Sequence, residues 1–308
     1  RTCKVVLGVG AKGTVYEAMK ESSGEMVALK EVTVTSDVGG RYVQMLSEEM
    51  EQFMRLRHVN ILRYKGMEMM DSTVRIYMEL APGGSIHTII NHYGVISERL
   101  ARNFTVHIVR GLQFLHQHGL SHGDIKPSNL LISLNGMVKL ANFGGASWYL
   151  NAANGTVRPI TSYVAPEVIA TGRYHKLSDI WSLGVVVCAM FCQRVSLWDQ
   201  YISDSTHFGR TSRNSLCLEA PPGVPRSSIE FIQDCLSIDF RMRPCARELS
   251  FRPFLDAARQ SGDESLRSSL GTCFEGSAYD SYSGEEGGDL SGGDGMGSAS
   301  WRRLQGDV

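Results

Sequence analysis

The 308-residue chain is short of several signals that would narrow its class. It has no charge excess: 31 Lys and Arg face 32 Asp and Glu, a formal net charge of -1. A global basic field for nucleic acid or an anionic membrane is therefore absent, and no nucleic-acid partner is expected. Its seven cysteines contain no C-x-x-C pair, which argues against a structural metal site and for reduced core thiols. The longest apolar stretch, Leu183 to Cys192, is far too short to span a bilayer, and no signal peptide or lipidation motif is visible. No membrane contact and a cytoplasmic location are the resulting expectations. No internal repeat is seen. The chain opens with Arg1 rather than Met and is expected to be a piece of a longer polypeptide.

What remains is ordinary globular composition, 43% hydrophobic and 20% charged, with ample length for a sizeable core. Residues 1–80 alternate β-branched runs with glycine turns: Val5-Val6-Leu7, Val15-Tyr16, Val27-Ala28-Leu29 and Val74 to Leu80 read as strands. One amphipathic helix, Ser47 to Arg57, interrupts them. After the break at Pro82-Gly83-Gly84 the pattern turns helical over Glu98 to His118, Lys176 to Cys192 and Ser227 to Ser237. Three segments follow: a β-rich lobe over 1–80, a helical lobe over 81–257, and a Gly, Ser and acidic tail over 258–308. The tail's composition predicts disorder.

Gly8-Val9-Gly10-Ala11-Lys12-Gly13 fits G-x-G-x-x-G. The same spacing serves dinucleotide folds, but there the last glycine opens a helix. Here Thr14-Val15-Tyr16 continues as strand and a second strand ends in Lys30, so a nicotinamide dehydrogenase is discarded. A hairpin turn without side chains brings backbone N–H groups to phosphate oxygens, and Lys30 can place a cation beside them. Glu49, on the amphipathic helix, is the carboxylate chosen to hold Lys30, with Glu48 one residue away as the alternative.

Further along come Ser121-His122-Gly123-Asp124-Ile125-Lys126-Pro127-Ser128-Asn129, then Ala141-Asn142-Phe143-Gly144, Ala165-Pro166-Glu167 and Ser178-Asp179-Ile180-Trp181. In this order and at these separations, they resemble the catalytic motifs of eukaryotic protein kinases of the Ser/Thr type over residues 3–256. His58-Val59-Asn60-Ile61 and Glu79-Leu80-Ala81-Pro82-Gly83-Gly84-Ser85 are similar to the mitogen-activated protein kinase kinase kinase branch. Lys126-Pro127-Ser128-Asn129 looks more like the tier below it.

The resemblance implies an α+β, two-lobed protein-kinase fold with ATP and Mg²⁺ as cofactors and a protein substrate, a downstream kinase being the class it suggests. It implies that Asp124 orients the substrate hydroxyl and Lys126 stabilises the transferring phosphoryl group. Gly8, Gly10 and Gly13 would cover the phosphates. Val15 and Ala28 would sandwich adenine, Met78 would guard the pocket, and backbone groups of Glu79 and Ala81 would bond the base. Asn129 and Asn142 would hold the metal. His122 and Phe143 resemble the internal hydrophobic stack, Asp179 would anchor the catalytic loop, and Glu167 would pair with Arg243.

Three residues depart from the family pattern. Asn142 stands where a metal-binding aspartate is usual, and Mg²⁺ prefers charged oxygen. Gly123 replaces an arginine that meets an activating phosphate. Ile160 stands where a threonine bonds the catalytic groups, with Thr161 adjacent and Thr156 a candidate for modification. Two functions stay open: a Ser/Thr kinase slowed by Asn142, and a pseudokinase acting as nucleotide-binding scaffold.

Overall fold

The computed structural model describes residues 2–10, 13–33, 47–48, 50–70, 72–142, 161–192 and 223–260. Five antiparallel strands open the chain: β1 (Thr2–Gly10), β2 (Gly13–Lys20), β3 (Glu25–Thr33), β4 (Tyr64–Met70) and β5 (Thr73–Glu79), ordered β1-β2-β3-β5-β4. Alternation decides the faces. Ala28, Val74, Ile76 and Met78 are buried in the main core, where they meet Met50 and Phe53 of the helical residues 50–55. Val27, Leu29 and Ala18 form a second small cluster, as a period of two requires.

The sheet is joined to the rest of the chain through residues 60–62. Leu62 N–H donates to the Leu140 carbonyl and Leu140 N–H to the Asn60 carbonyl, both at 2.9 Å. The Asn60 side-chain amide donates to Val138 O at 3.0 Å. The motif His58-Val59-Asn60-Ile61 thus docks onto a lower hairpin, β6 (Leu130–Ile132) and β7 (Val138–Leu140).

After β5 the chain crosses at Pro82-Gly83-Gly84. Gly83 N–H donates to Ile132 O, and Ile132 N–H to Gly84 O, each at 2.9 Å. A Cβ on Gly83 would fall 2.8 Å from Ile132 O, so only glycine allows this approach. Helix α1 (Ile86–Tyr93) follows, its first turn capped by Ser85, whose hydroxyl accepts the Thr88 N–H at 3.1 Å.

Helix α2 (Glu98–Gln117) carries an apolar stripe from Ala101 to Leu115. It packs on α4 (Lys176–Cys192), which is buried almost continuously from Ser178 to Phe191. Being apolar all round, α4 is the central post of the helical region rather than a surface helix. Between them in sequence lies the short α3 (Pro166–Thr171). The post is then flanked by α5 (Arg226–Cys235), α6 (Ala246–Leu249) and α7 (Pro253–Gln260). The described residues form the expected two-lobed α+β architecture. Helix α7 runs to Gln260, three residues into the expected tail of 258–308, and residues 261–308 lie outside the described residues.

Candidate active site

The β1–β2 hairpin closes on Gly10 opposite Gly13. Gly13 is fixed by the fold itself: its φ is 117° and a Cβ would lie 2.0 Å from Glu31 O. Gly8 and Gly10 differ. Neither has a positive φ, and an added Cβ would meet nothing within 4 Å at Gly8 and only Gly13 O at 4.0 Å at Gly10. Packing does not require glycine at these two positions, and the surface they leave is bare backbone.

Behind the hairpin, Val15 pairs with Lys30 and Ala28 with Met78 across the sheet. Ala28 and Met78 are buried and Val15 is half-buried. Met78 is followed by Glu79, whose N–H is taken by Arg63 O at 2.9 Å. Any adenine bond from Glu79 therefore uses its carbonyl. The Glu79 carboxylate accepts Arg63 N–H at 2.9 Å and Lys139 Nζ at 2.8 Å. These contacts tie the end of β5 to the residue before β4 and to β7; motif reading gave no sign of them.

The catalytic loop is held from below by Asp179 on α4. Its buried carboxylate accepts N–H bonds from His122 and Gly123, each at 2.9 Å, a ring nitrogen of His116 at 2.8 Å, and the Tyr174 hydroxyl at 2.6 Å. Burial pushes this carboxyl up, but the His116 bond and charge, the His122 charge and the Tyr174 bond together hold it below the ordinary range. Gly123 takes a φ of 78°. The expected anchor is therefore present. His116 and Tyr174, unforeseen from the sequence, complete it.

Above this anchor the expected site residues meet in one continuous chain of contacts. Lys30 Nζ donates to Asn142 Oδ1 at 3.2 Å. Asn142 Nδ2 donates to Asn129 Oδ1 at 2.9 Å. Asn129 Nδ2 donates to the Asp124 carboxylate at 2.9 Å and to its carbonyl at 2.7 Å. Lys126 Nζ stands 3.2 Å from the same carboxylate. Burial lowers the affinity of Lys30 for its proton, Asp124 raises it and Lys126 lowers it again. The two lysines and Asp124 therefore share one electrostatic environment. Glu49, the expected partner of Lys30, lies outside the described residues, as do Phe143, Thr156 and Ile160. Thr161 is described, and its carbonyl accepts Val164 N–H at 2.9 Å.

Glu167 pairs with Arg243 as expected, through two bonds of 2.7 Å, and also accepts Ser178 Oγ at 2.7 Å. The guanidinium lies 4.9 Å from the Trp181 ring centroid. Burial raises the Glu167 carboxyl, and the Arg243 and Ser178 contacts outweigh it, leaving it below its usual range.

The Mg²⁺ implied by the resemblance meets a poor donor set. Asn129 Oδ1 and Asn142 Oδ1 are uncharged, and both already accept hydrogen bonds, one of them from an ammonium. The one carboxylate of the contact chain, Asp124, faces Lys126. Among the described residues no group of three or more His, Cys, Asp or Glu could hold a metal ion. A small hard cation favours charged oxygens.

Residues 2–255 match the protein kinase domain family. The chain is 33% identical over 275 residues to mitogen-activated protein kinase kinase kinase 2 of Arabidopsis thaliana, covering 85% of this chain and 42% of that protein. It is 35% identical over 255 residues to mitogen-activated protein kinase kinase kinase YODA of the same plant, covering 81% and 28%. It is 33% identical over 262 residues to human mitogen-activated protein kinase kinase kinase 19, covering 82% and 20%. The chain thus spans less than half the length of these relatives. With fold and sequence in agreement, it belongs to the protein kinase family and is similar to the mitogen-activated protein kinase kinase kinases.

Proposed function

We propose that this chain is the catalytic domain of a Ser/Thr protein kinase in a signalling cascade. It transfers the ATP γ-phosphate to a protein hydroxyl, with a downstream kinase as the substrate class. The observation that carries this reading is the contact chain Lys30–Asn142–Asn129–Asp124. It joins residues separated by 112, 13 and 5 positions through side-chain hydrogen bonds, which supports a shared site for them. A cytoplasmic setting belongs to the same reading and is supported by the free thiols of Cys188, Cys192 and Cys235.

Each residue's part follows from its chemistry. Bare backbone at Gly8 and Gly10 admits phosphate oxygens. Val15, Ala28 and Met78 provide apolar walls for a base. Asp124, oriented by Asn129, accepts the hydrogen bond of the attacking hydroxyl and turns its lone pair toward phosphorus. Lys126 and Lys30 offset the charge that spreads over the phosphoryl oxygens, the principal demand of this reaction. Asn142 supplies no charge, so transfer is slow, each ~1.4 kcal/mol of lost stabilisation being tenfold in rate.

The test is radiolabelled phosphate transfer to a basic protein. Asp124→Ala is expected to reduce the rate by about 10²-fold or more, and activity unchanged by it would sink the reading. One observation favours a second reading, a nucleotide-binding scaffold without turnover: the amide of Asn142 bonds Asn129 where a carboxylate could not. ATP binding with no transfer, in wild type and Asn142→Asp alike, would select the scaffold.

A further inference from the structure

Asn142 differs from an aspartate in two ways, and both bear on a cation. It lacks the charge. It also carries an N–H₂ group, which a carboxylate does not, and that group donates to Asn129 Oδ1 at 2.9 Å. The amide orientation is fixed from both ends. Lys30 Nζ requires an acceptor from Asn142. Asp124 requires a donor from Asn129, which turns the Asn129 oxygen toward Asn142. The two amides thus lie polarised between a cation and an anion. A single substitution has altered both expected metal ligands, Asn142 by its neutrality and Asn129 by engaging its oxygen.

The backbone accommodates either residue. Asn142 sits at φ 60°, the one positive-φ residue other than glycine among the described residues. Asparagine and aspartate tolerate this left-handed region better than most side chains. An Asn142→Asp variant therefore changes charge and hydrogen-bonding sense while keeping the backbone.

We infer that a nucleoside triphosphate binds this cleft without needing a divalent cation. The inference rests on the reading of the cleft as a nucleotide site. Within the contact chain, and among the described residues, two lysines stand beside one carboxylate. An aspartate at 142 would add one negative charge beside the triphosphate, and a metal would then be needed to offset it. With asparagine, Lys30 and Lys126 would meet the phosphates without that added anion, and the two amide oxygens that would hold an ion already accept hydrogen bonds.

The experiment is calorimetric titration of the whole chain with ATP, once in EDTA and once in excess MgCl₂. Wild type is expected to give dissociation constants within about threefold of each other. Asn142→Asp is expected to bind about tenfold or more tightly with Mg²⁺ than without. Tightening of wild type by about tenfold or more on adding Mg²⁺ would overturn the inference while leaving the nucleotide site intact. Absence of binding in both buffers would instead overturn the site reading and the inference with it. Should Asn142→Asp fail to fold by its melting curve, the wild-type pair of titrations decides alone.

Discussion

Gly8, Gly10 and Gly13 share a motif but not a reason. Gly13→Ala places a methyl carbon 2.0 Å from Glu31 O at a φ of 117°. Strand pairing must give way, and the melting temperature of that variant should fall. Gly8→Ala and Gly10→Ala meet open space or contact no nearer than 4.0 Å. They should melt like wild type and lose nucleotide affinity, because the methyl group enters the bare surface offered to phosphate. Calorimetry beside a melting curve separates the two kinds of glycine. A second single-residue prediction concerns Arg243, fully buried against Glu167. Arg243→Met leaves a buried carboxylate without its cation and should cost about 3–5 kcal/mol in urea unfolding, far beyond an exposed ion pair.

Helix α4 gives the sharpest expectation among the elements. Gly184 lies where a Cβ would come 2.6 Å from Cys235 Cβ and 2.9 Å from Leu236 Cδ2. Alanine is the better helix former by about 1 kcal/mol. Even so, Gly184→Ala should destabilise by about 1–3 kcal/mol, because overpacking against α5 outweighs propensity. The strands β1, β2, β3 and β5, and the helices α2 and α4, were readable because each carries a strong period or an unbroken apolar run. Helix α1 was not, since its eight residues follow directly on a turn. Nor were β6 and β7, three residues each. Strand β4 reads Tyr-Lys-Gly-Met-Glu-Met-Met, with glycine and methionine diluting its alternation. The site shows the same division. Motif order singled out Lys30, Asp124, Lys126, Asn129 and Asn142, and the structure joins them by contacts. The sense of the hydrogen bonds among them depends on side-chain rotation, which no motif encodes. His116 and Tyr174 escaped notice because nothing in sequence distinguishes them from other histidines and tyrosines.

At the scale of the whole molecule, acid should be the chief threat. Glu167 and Asp179 are both held below the usual carboxylate range by their partners. A group whose folded pKa is depressed lends stability above its unfolded value and loses it as pH falls through the folded one. Unfolding midpoints should therefore hold steady near neutrality and drop below about pH 4. Glu167→Gln should flatten part of that decline in a pH series of melts. The lobes are also linked through Glu79, which bonds Arg63 on one side and Lys139 on the other. Lys139→Met should raise the KM for ATP more than it lowers kcat, with Lys139→Arg restoring it.

The turn at Gly123 has a consequence for control. Its φ of 78° and its amide bond to the Asp179 carboxylate help to set the shape of the loop bearing Asp124 without any side chain at position 123. An L side chain at that spot would carry a standing conformational penalty of about 1–2 kcal/mol, and glycine has none. The loop rests without that penalty, braced from the interior of the molecule, so the departure from arginine at Gly123 leaves its shape intact.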